Sequence, residues 1–219
     1  MFFSLEKNFD AKLLFNFKKK STTMKSFFPL LLFIGCTVSA IAQNTPNKNG
    51  MTPDQQAAMK PWIDYMTPGD AQKMMAKSAG EWKAEVTQYM DPGKPPMKSQ
   101  ASVHNEMILG GRYLTTHYNG SMMGMPFEGL GTIGYDNGTK MYNSNWIDNM
   151  GTGILSMQGT ASADGKTIEF KGGGYDPIQG KMVPMRQINT FTDENHQKIE
   201  IYQSMSGKEM KVMDIMLSR

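Results

Sequence analysis

The stretch from Gly80 to Arg219 predicts an all-β fold, an antiparallel up-and-down β-barrel of about ten strands. Three observations carry that reading. Apolar and polar residues alternate, as in Trp82, Ala84 and Val86 against Lys83, Glu85 and Thr87, which is the period of a strand with one buried face. Turn-forming clusters recur at short intervals: Asp91-Pro92-Gly93, Gly110-Gly111, Asp136-Asn137-Gly138, Asp164-Gly165, Asp193-Glu194-Asn195 and Ser206-Gly207. Asp-Gly and Asn-Gly supply the positive φ that tight hairpins need. The order is local throughout, with no long connection of the Greek-key type, and a closed meander removes the sheet edges that aggregate.

Two short helices precede the barrel, within residues 52–79. Thr52 is an N-cap with Pro53 at the first helical position, and Pro61 is expected to kink or end the first helix. Thr67-Pro68-Gly69-Asp70 opens the second, and Gly80 stops it. The strand segments that follow the first are read at 97–108, 112–121, 126–135, 139–147, 152–162, 166–172, 182–192, 197–204 and 208–217.

Upstream of the helices, the sequence reads as an export signal. Met24-Lys25 begins a basic start, Phe27 to Ile34 forms a short apolar run, and Ala40-Ile41-Ala42 gives an A-x-A exit before Gln43. Residues 24–42 are therefore expected to be a signal peptide cleaved between Ala42 and Gln43, leaving a periplasmic or secreted protein. Residues 1–23 carry Glu6 and Asp10, unlike a signal start, and suit synthesis beginning at Met24. Phe33-Ile34-Gly35-Cys36 is a weaker match to a lipoprotein processing site. Residues 43–51 are polar and read as a flexible tether.

Removing 1–42 changes the charge. The leader holds six basic residues (Lys7, Lys12, Lys18, Lys19, Lys20, Lys25) and two acidic ones (Glu6, Asp10) of the chain's 23 and 20, which leaves 17 and 18 and a net charge of −1. Such a surface lacks the basic footprint of a nucleic-acid binder. The only cysteine leaves with the leader, which excludes disulfides, thiolate catalysis and Cys-ligated metals in the mature protein. Its apolar run is too short for a stable span, so the mature protein is expected to carry no membrane span.

A set of motifs then recurs in order: Gly110-Gly111-Arg112-Tyr113-Leu114, Gly129-Leu130-Gly131 with Gly134-Tyr135-Asp136, Tyr142 with Trp146-Ile147-Asp148, Gly151-Thr152-Gly153, Asp176-Pro177 and Gly207-Lys208-Glu209. Together, from about residue 68 to Arg219, they resemble the bacterial family called domain of unknown function 1579. The resemblance implies a calycin-like, lipocalin-like barrel with an interior cavity. Gly80-Glu81-Trp82 also resembles the lipocalin G-x-W signature, which implies that Trp82 closes one end of the barrel beneath a basic residue near the last strand, with Arg219 as the partner. Fold alone assigns no activity.

No catalytic or cofactor motif stands out. His104, His117 and His196 are not in metal-ligand spacing, and no G-x-S-x-G elbow or phosphate loop is present. Neither a cofactor nor a metal is expected. The chain has 22 methionines, two of them in the leader, with clusters at Met122-Met123-Met125, Met182/Met185 and Met210/Met213/Met216. Thioethers bind Cu(I). They are also adaptable apolar filler, and the spacing of the last cluster, which does not share one strand face, favours packing.

The expected function is binding of a small, partly apolar molecule inside the barrel. Candidate lining residues are Tyr113, His117, Glu128, Trp146, Asp148 and Arg186, with Arg186 as an anchor for a ligand carboxylate. Two other readings stand beside it. One is an enzyme using Glu128 or Asp148 with His117. The other is an interaction module whose Trp62 and Tyr65 dock on a partner or plug the barrel.

Overall fold

The computed structural model describes residues 50–89, 93–205 and 207–219. The leader, its cleavage point, Cys36 and most of the 43–51 tether lie outside them. Two helices come first, α1 (Pro53–Met66) and α2 (Asp70–Ala76). Ten strands follow: β1 (Gly80–Gln88), β2 (Met97–Ile108), β3 (Tyr113–Met122), β4 (Met125–Asp136), β5 (Met141–Asp148), β6 (Leu155–Ala161), β7 (Thr167–Asp176), β8 (Lys181–Phe191), β9 (His196–Met205) and β10 (Lys208–Ser218).

The strands pair antiparallel in sequence order, and β1 pairs with β10 to close the barrel. Closure leaves no free edge, the physical benefit expected of a meander. The β1–β10 ladder runs from Lys83 opposite Ser218 to Gln88 opposite Met213. A β-bulge between Lys211 and Met213 puts one extra residue into β10, which bends the strand and sharpens its twist.

α1 starts on a reciprocal capping box, in which Thr52 Oγ1 accepts from Gln55 N and Gln55 Oε1 accepts from Thr52 N. Contrary to the sequence expectation, the helix neither ends nor breaks at Pro61 but continues to Met66. A proline in this position removes one backbone donor, and the helix nevertheless forms one more turn. α1 buries no residue. α2 is tied to the barrel: Gln72 Nε2 donates to Tyr135 O at 3.2 Å, and Met75 is only 1% exposed. No helix among the described residues is long and apolar enough to cross a membrane.

Both helices sit at the same end of the barrel. This is the end carrying the β2–β3, β4–β5, β6–β7 and β8–β9 turns, because Asn137 Nδ2 in the β4–β5 turn donates to Tyr65 O and Thr67 O. The opposite end, with the β3–β4, β5–β6, β7–β8 and β9–β10 turns, has no helix across it among the described residues. The buried core forms two clusters along the inner wall. One centres on Trp82, Val103 and Tyr118, the other on Met75, Tyr142 and Phe170.

The outer wall of β8–β10 carries an ionic ladder. Lys211 Nζ and Lys198 Nζ lie 2.8 and 2.9 Å from Glu200 Oε1. Hydrogen bonds from Lys211 and then Lys198 hold the Glu200 carboxyl down at about 2, below its ordinary 4.5. A carboxylate with a depressed folded-state pKa contributes its stability above the unfolded value and loses it as pH falls through the folded one. The thermal midpoint is therefore expected to fall between pH 4.5 and about 2, and Glu200→Gln to flatten that part of the profile. Melting curves followed by circular dichroism across this range check it.

Candidate functional site

A cavity of about 290 Å³ runs inside the barrel from α2 toward the uncovered end. Its walls are mostly apolar, including Val103, Leu114, Ile168 and Ile215. Met75 and Ser78 close it at the helix end, and Ser121, Met122 and Asp148 lie toward the other. Among the described residues no Lys, Arg or His lines it.

The helix end is sealed by a compact polar joint. Trp82, 3% exposed, donates through Nε1 to Ser78 O at 2.8 Å, and Asn105 Nδ2 donates to the same carbonyl at 2.9 Å. Gln197 Nε2 donates to Ser78 Oγ at 3.1 Å. The Arg219 guanidinium stacks over the Trp82 ring, 4.2 Å from its centroid. It also donates to the backbone carbonyls of Lys77, Ala79 and Glu194. The last residue of the chain is thereby fastened to the α2–β1 junction, beside the seam where β1 meets β10.

Trp146 is the main aromatic wall of the cavity. It packs edge-on to Tyr118 at 5.5 Å between centroids and stacks with Phe127 at 6.4 Å. Its Nε1 donates to Asp148 Oδ2 at 2.8 Å, while Asp148 Oδ1 accepts from Met150 N at 2.9 Å. Asp148 thus orients the indole and caps the β5–β6 turn at once. The indole lies flat over β4 because that strand offers glycines beneath it: a Cβ at Gly129 would collide with the ring, and one at Gly131 would sit 3.1 Å from Cε3.

Two polar atoms in this wall are buried and make no hydrogen bond among the described residues: Asn105 Oδ1 and Tyr118 Oη. Burial alone pushes the Tyr118 hydroxyl pKa upward, so it stays a neutral hydroxyl.

Only Trp146 and Asp148 of the six candidate residues line the cavity. Tyr113, His117, Glu128 and Arg186 lie on the outer face, one step out of phase with it. Leu114, Thr116 and Tyr118 point inward from β3, which turns Tyr113 and His117 outward. Glu128 pairs with Asn119 on the same outer face. Arg186 stands over the Tyr202 ring and makes a two-point bond to Glu209, Nε to Oε1 at 2.9 Å and Nη2 to Oε2 at 2.7 Å. The carboxylate expected from a ligand is supplied by the chain itself. The trio of Glu128, Asp148 and His117 therefore does not converge. Replacing His117 or Glu128 by alanine is expected to change stability by no more than about 0.5 kcal/mol and to leave cavity binding unchanged, as checked by melting and by probe titration.

The family model described as "Protein of unknown function (DUF1579)" matches residues 67–219. The chain belongs to the DUF1579 family. The crystal structure of Rv2717c from M. tuberculosis is similar, with 16% identity, a TM-score of 0.52, and coverage of 70% of this chain and 99% of that one. At that identity the likeness concerns the fold alone. No curated protein matches the chain.

This DUF1579 barrel has a second recess, an outer cleft of about 370 Å³ near the end of α1 that includes Tyr65, Arg112 and Tyr113. The polar groups of the cleft are occupied in holding the helix and turns. Asn137 binds the α1 carbonyls, Asp136 Oδ1 accepts from Gly138 N at 2.7 Å, and Arg112 Nη1 donates to Leu109 O at 3.0 Å. The inner cavity, with its unpartnered polar atoms, is the candidate site.

The sequence reading missed Asn105, Tyr118 and Phe127. One signal marked the correct phase: Leu114 and Tyr118 stand four residues apart, the spacing of two large apolar side chains on one strand face. Methionine clustering has a structural explanation too. Met75, Met157 and Met213 belong to the inner wall, while Met97, Met123, Met125, Met150 and Met182 are exposed near the uncovered end. Among the described residues no group of His, Cys, Asp and Glu is placed to hold a metal ion.

Proposed function

We propose that this exported barrel binds a small, mainly apolar molecule in its inner cavity, received through the end that no helix covers. The observation that carries the reading is the cavity itself, about 290 Å³ of mostly apolar wall with a few convergent polar groups, the usual composition of a ligand site. Exposed Ile154, Tyr175, Ile178 and Met182 lie at the β5–β6 and β7–β8 turns of the uncovered end and give an apolar molecule a surface to cross. Native mass spectrometry of protein purified from its own envelope tests the proposal. A co-purifying small molecule is expected; protein that carries none and takes up no neutral aromatic probe would overturn it.

A second reading rests on α1, which leaves Trp62 and Ile63 61% and 48% exposed. Neither Trp62 nor Tyr65 plugs the barrel, a task taken by α2 through Met75. In this reading α1 is an interaction surface, and crosslinking from position 62 in intact envelopes would capture a defined neighbour. A Trp62→Ser protein is expected to bind cavity probes unchanged.

A further inference from the structure

We infer that the cavity selects an uncharged molecule bearing an O–H or N–H donor, which it holds between Asn105 Oδ1 and Tyr118 Oη against the Trp146 indole. The inference rests on the cavity-binding reading above and adds the chemistry of the occupant.

Start with Asn105. It is 5% exposed, and its Nδ2 is committed to Ser78 O at 2.9 Å. Turning the amide over would set two carbonyl oxygens against each other, so the orientation is fixed by the bond. That leaves Oδ1 as an acceptor without a donor among the described residues. Tyr118, 6% exposed, adds a hydroxyl that both donates and accepts. Asn105 faces Thr116 across the β2–β3 ladder, and Tyr118 faces Val103. The two polar groups thus belong to adjacent inward pairs on neighbouring strands. Leaving a buried polar atom unmatched costs about 1–3 kcal/mol. A molecule that supplies the missing partner recovers that energy, and a hydrocarbon of the same shape does not.

Charge narrows the class further. An anion in this cavity would meet no Lys, Arg or His among the described residues, and an unpaired buried charge is expensive. Asp148, the one acid in the wall among the described residues, already accepts on both oxygens. The flat ring of Trp146, with Tyr118 edge-on to it, favours an aromatic or planar body.

The test is a matched series of probes titrated into the full mature protein: 1-naphthol, 1-methoxynaphthalene, naphthalene and 1-naphthoate. The expected order has 1-naphthol at least about tenfold tighter than the two neutral probes without a donor, the fold-change of ~1.4 kcal/mol, and 1-naphthoate weakest. Tyr118→Phe is expected to raise the melting temperature of the free protein, because it removes an unmatched hydroxyl, while weakening 1-naphthol and sparing naphthalene. Asn105→Leu is expected to erase the preference for 1-naphthol. Equal binding of naphthol and naphthalene would overturn the donor inference and leave the cavity reading standing. Binding of none of the four would overturn both.

Discussion

Replacing Trp82 by alanine is expected to destabilise the barrel by about 3–5 kcal/mol, a fall in melting temperature of roughly 6–20 °C for a domain of this size. The side chain is 3% exposed and packs with Ala84, Val103 and Leu217 in one core cluster. Its removal leaves a cavity that barrel neighbours, locked in ladders on both sides, cannot collapse to fill. It also removes one of the two donors to Ser78 O and takes the ring from under Arg219. The contributions separate by substitution. Trp82→Phe keeps most of the packing and loses the N–H, at about 1 kcal/mol for a hydrogen bond. Arg219→Ala loses the stacked cation, worth up to ~2 kcal/mol where desolvated, and three bonds to backbone carbonyls. The Trp82→Ala/Arg219→Ala double variant is expected to lose less than the two single losses added, since both remove the same contact. Strict additivity in urea melts would show that the stack contributes nothing to holding the chain's end.

The architecture was legible because the barrel obeys simple periodicities. Trp82, Ala84 and Val86 are buried as their alternation predicts, and Asp-Gly and Asn-Gly turns fall where strands reverse. Closure itself needed coordinates, since the pairing of β1 with β10 joins segments that no local signal links. The site was less legible, for a physical reason. In β3 both faces carry polar and aromatic groups, Tyr113, Thr115 and His117 on one and Thr116 and Tyr118 beside Leu114 on the other, so hydrophobic contrast sets the phase only weakly. A one-residue slip in phase exchanges every inward side chain for an outward one, and this is what moved Tyr113 and His117 out of the cavity. Arg186 shows a different limit: its partner Glu209 is 23 residues away and becomes its neighbour only through the β8–β9–β10 meander. Trp146 and Asp148 belong to one of the ordered motifs of the family, and two residues apart they share one strand face, where the short bond between them forms.

Gly129→Ala is expected to have a large effect for a single added methyl. A Cβ there would stand 2.6 Å from Trp146 Cη2 and closer still to Cζ2, well inside the 3.5–4.0 Å at which carbon atoms attract. The indole has little freedom to yield. Asp148 holds its Nε1 at 2.8 Å, Tyr118 meets its face or edge at 5.5 Å between centroids, and Phe127 stacks on it. The remaining direction is into the cavity, so the added methyl both strains the wall and occupies the space meant for a ligand. Overpacking of this kind costs about 1–3 kcal/mol, and 1-naphthol binding is expected to drop at least about tenfold, or ~1.4 kcal/mol. Position provides the controls. Gly131→Ala, with its nearest ring atom at 3.1 Å, should cost less, and Gly153→Ala, with nothing within 4 Å, should be silent. The Gly129→Ala/Trp146→Phe double variant should regain stability, because the smaller ring leaves room for the methyl. A Gly129→Ala protein that melts and binds like the wild type would mean that the indole does not rest on β4, and the aromatic wall assigned to the cavity would have to be given up.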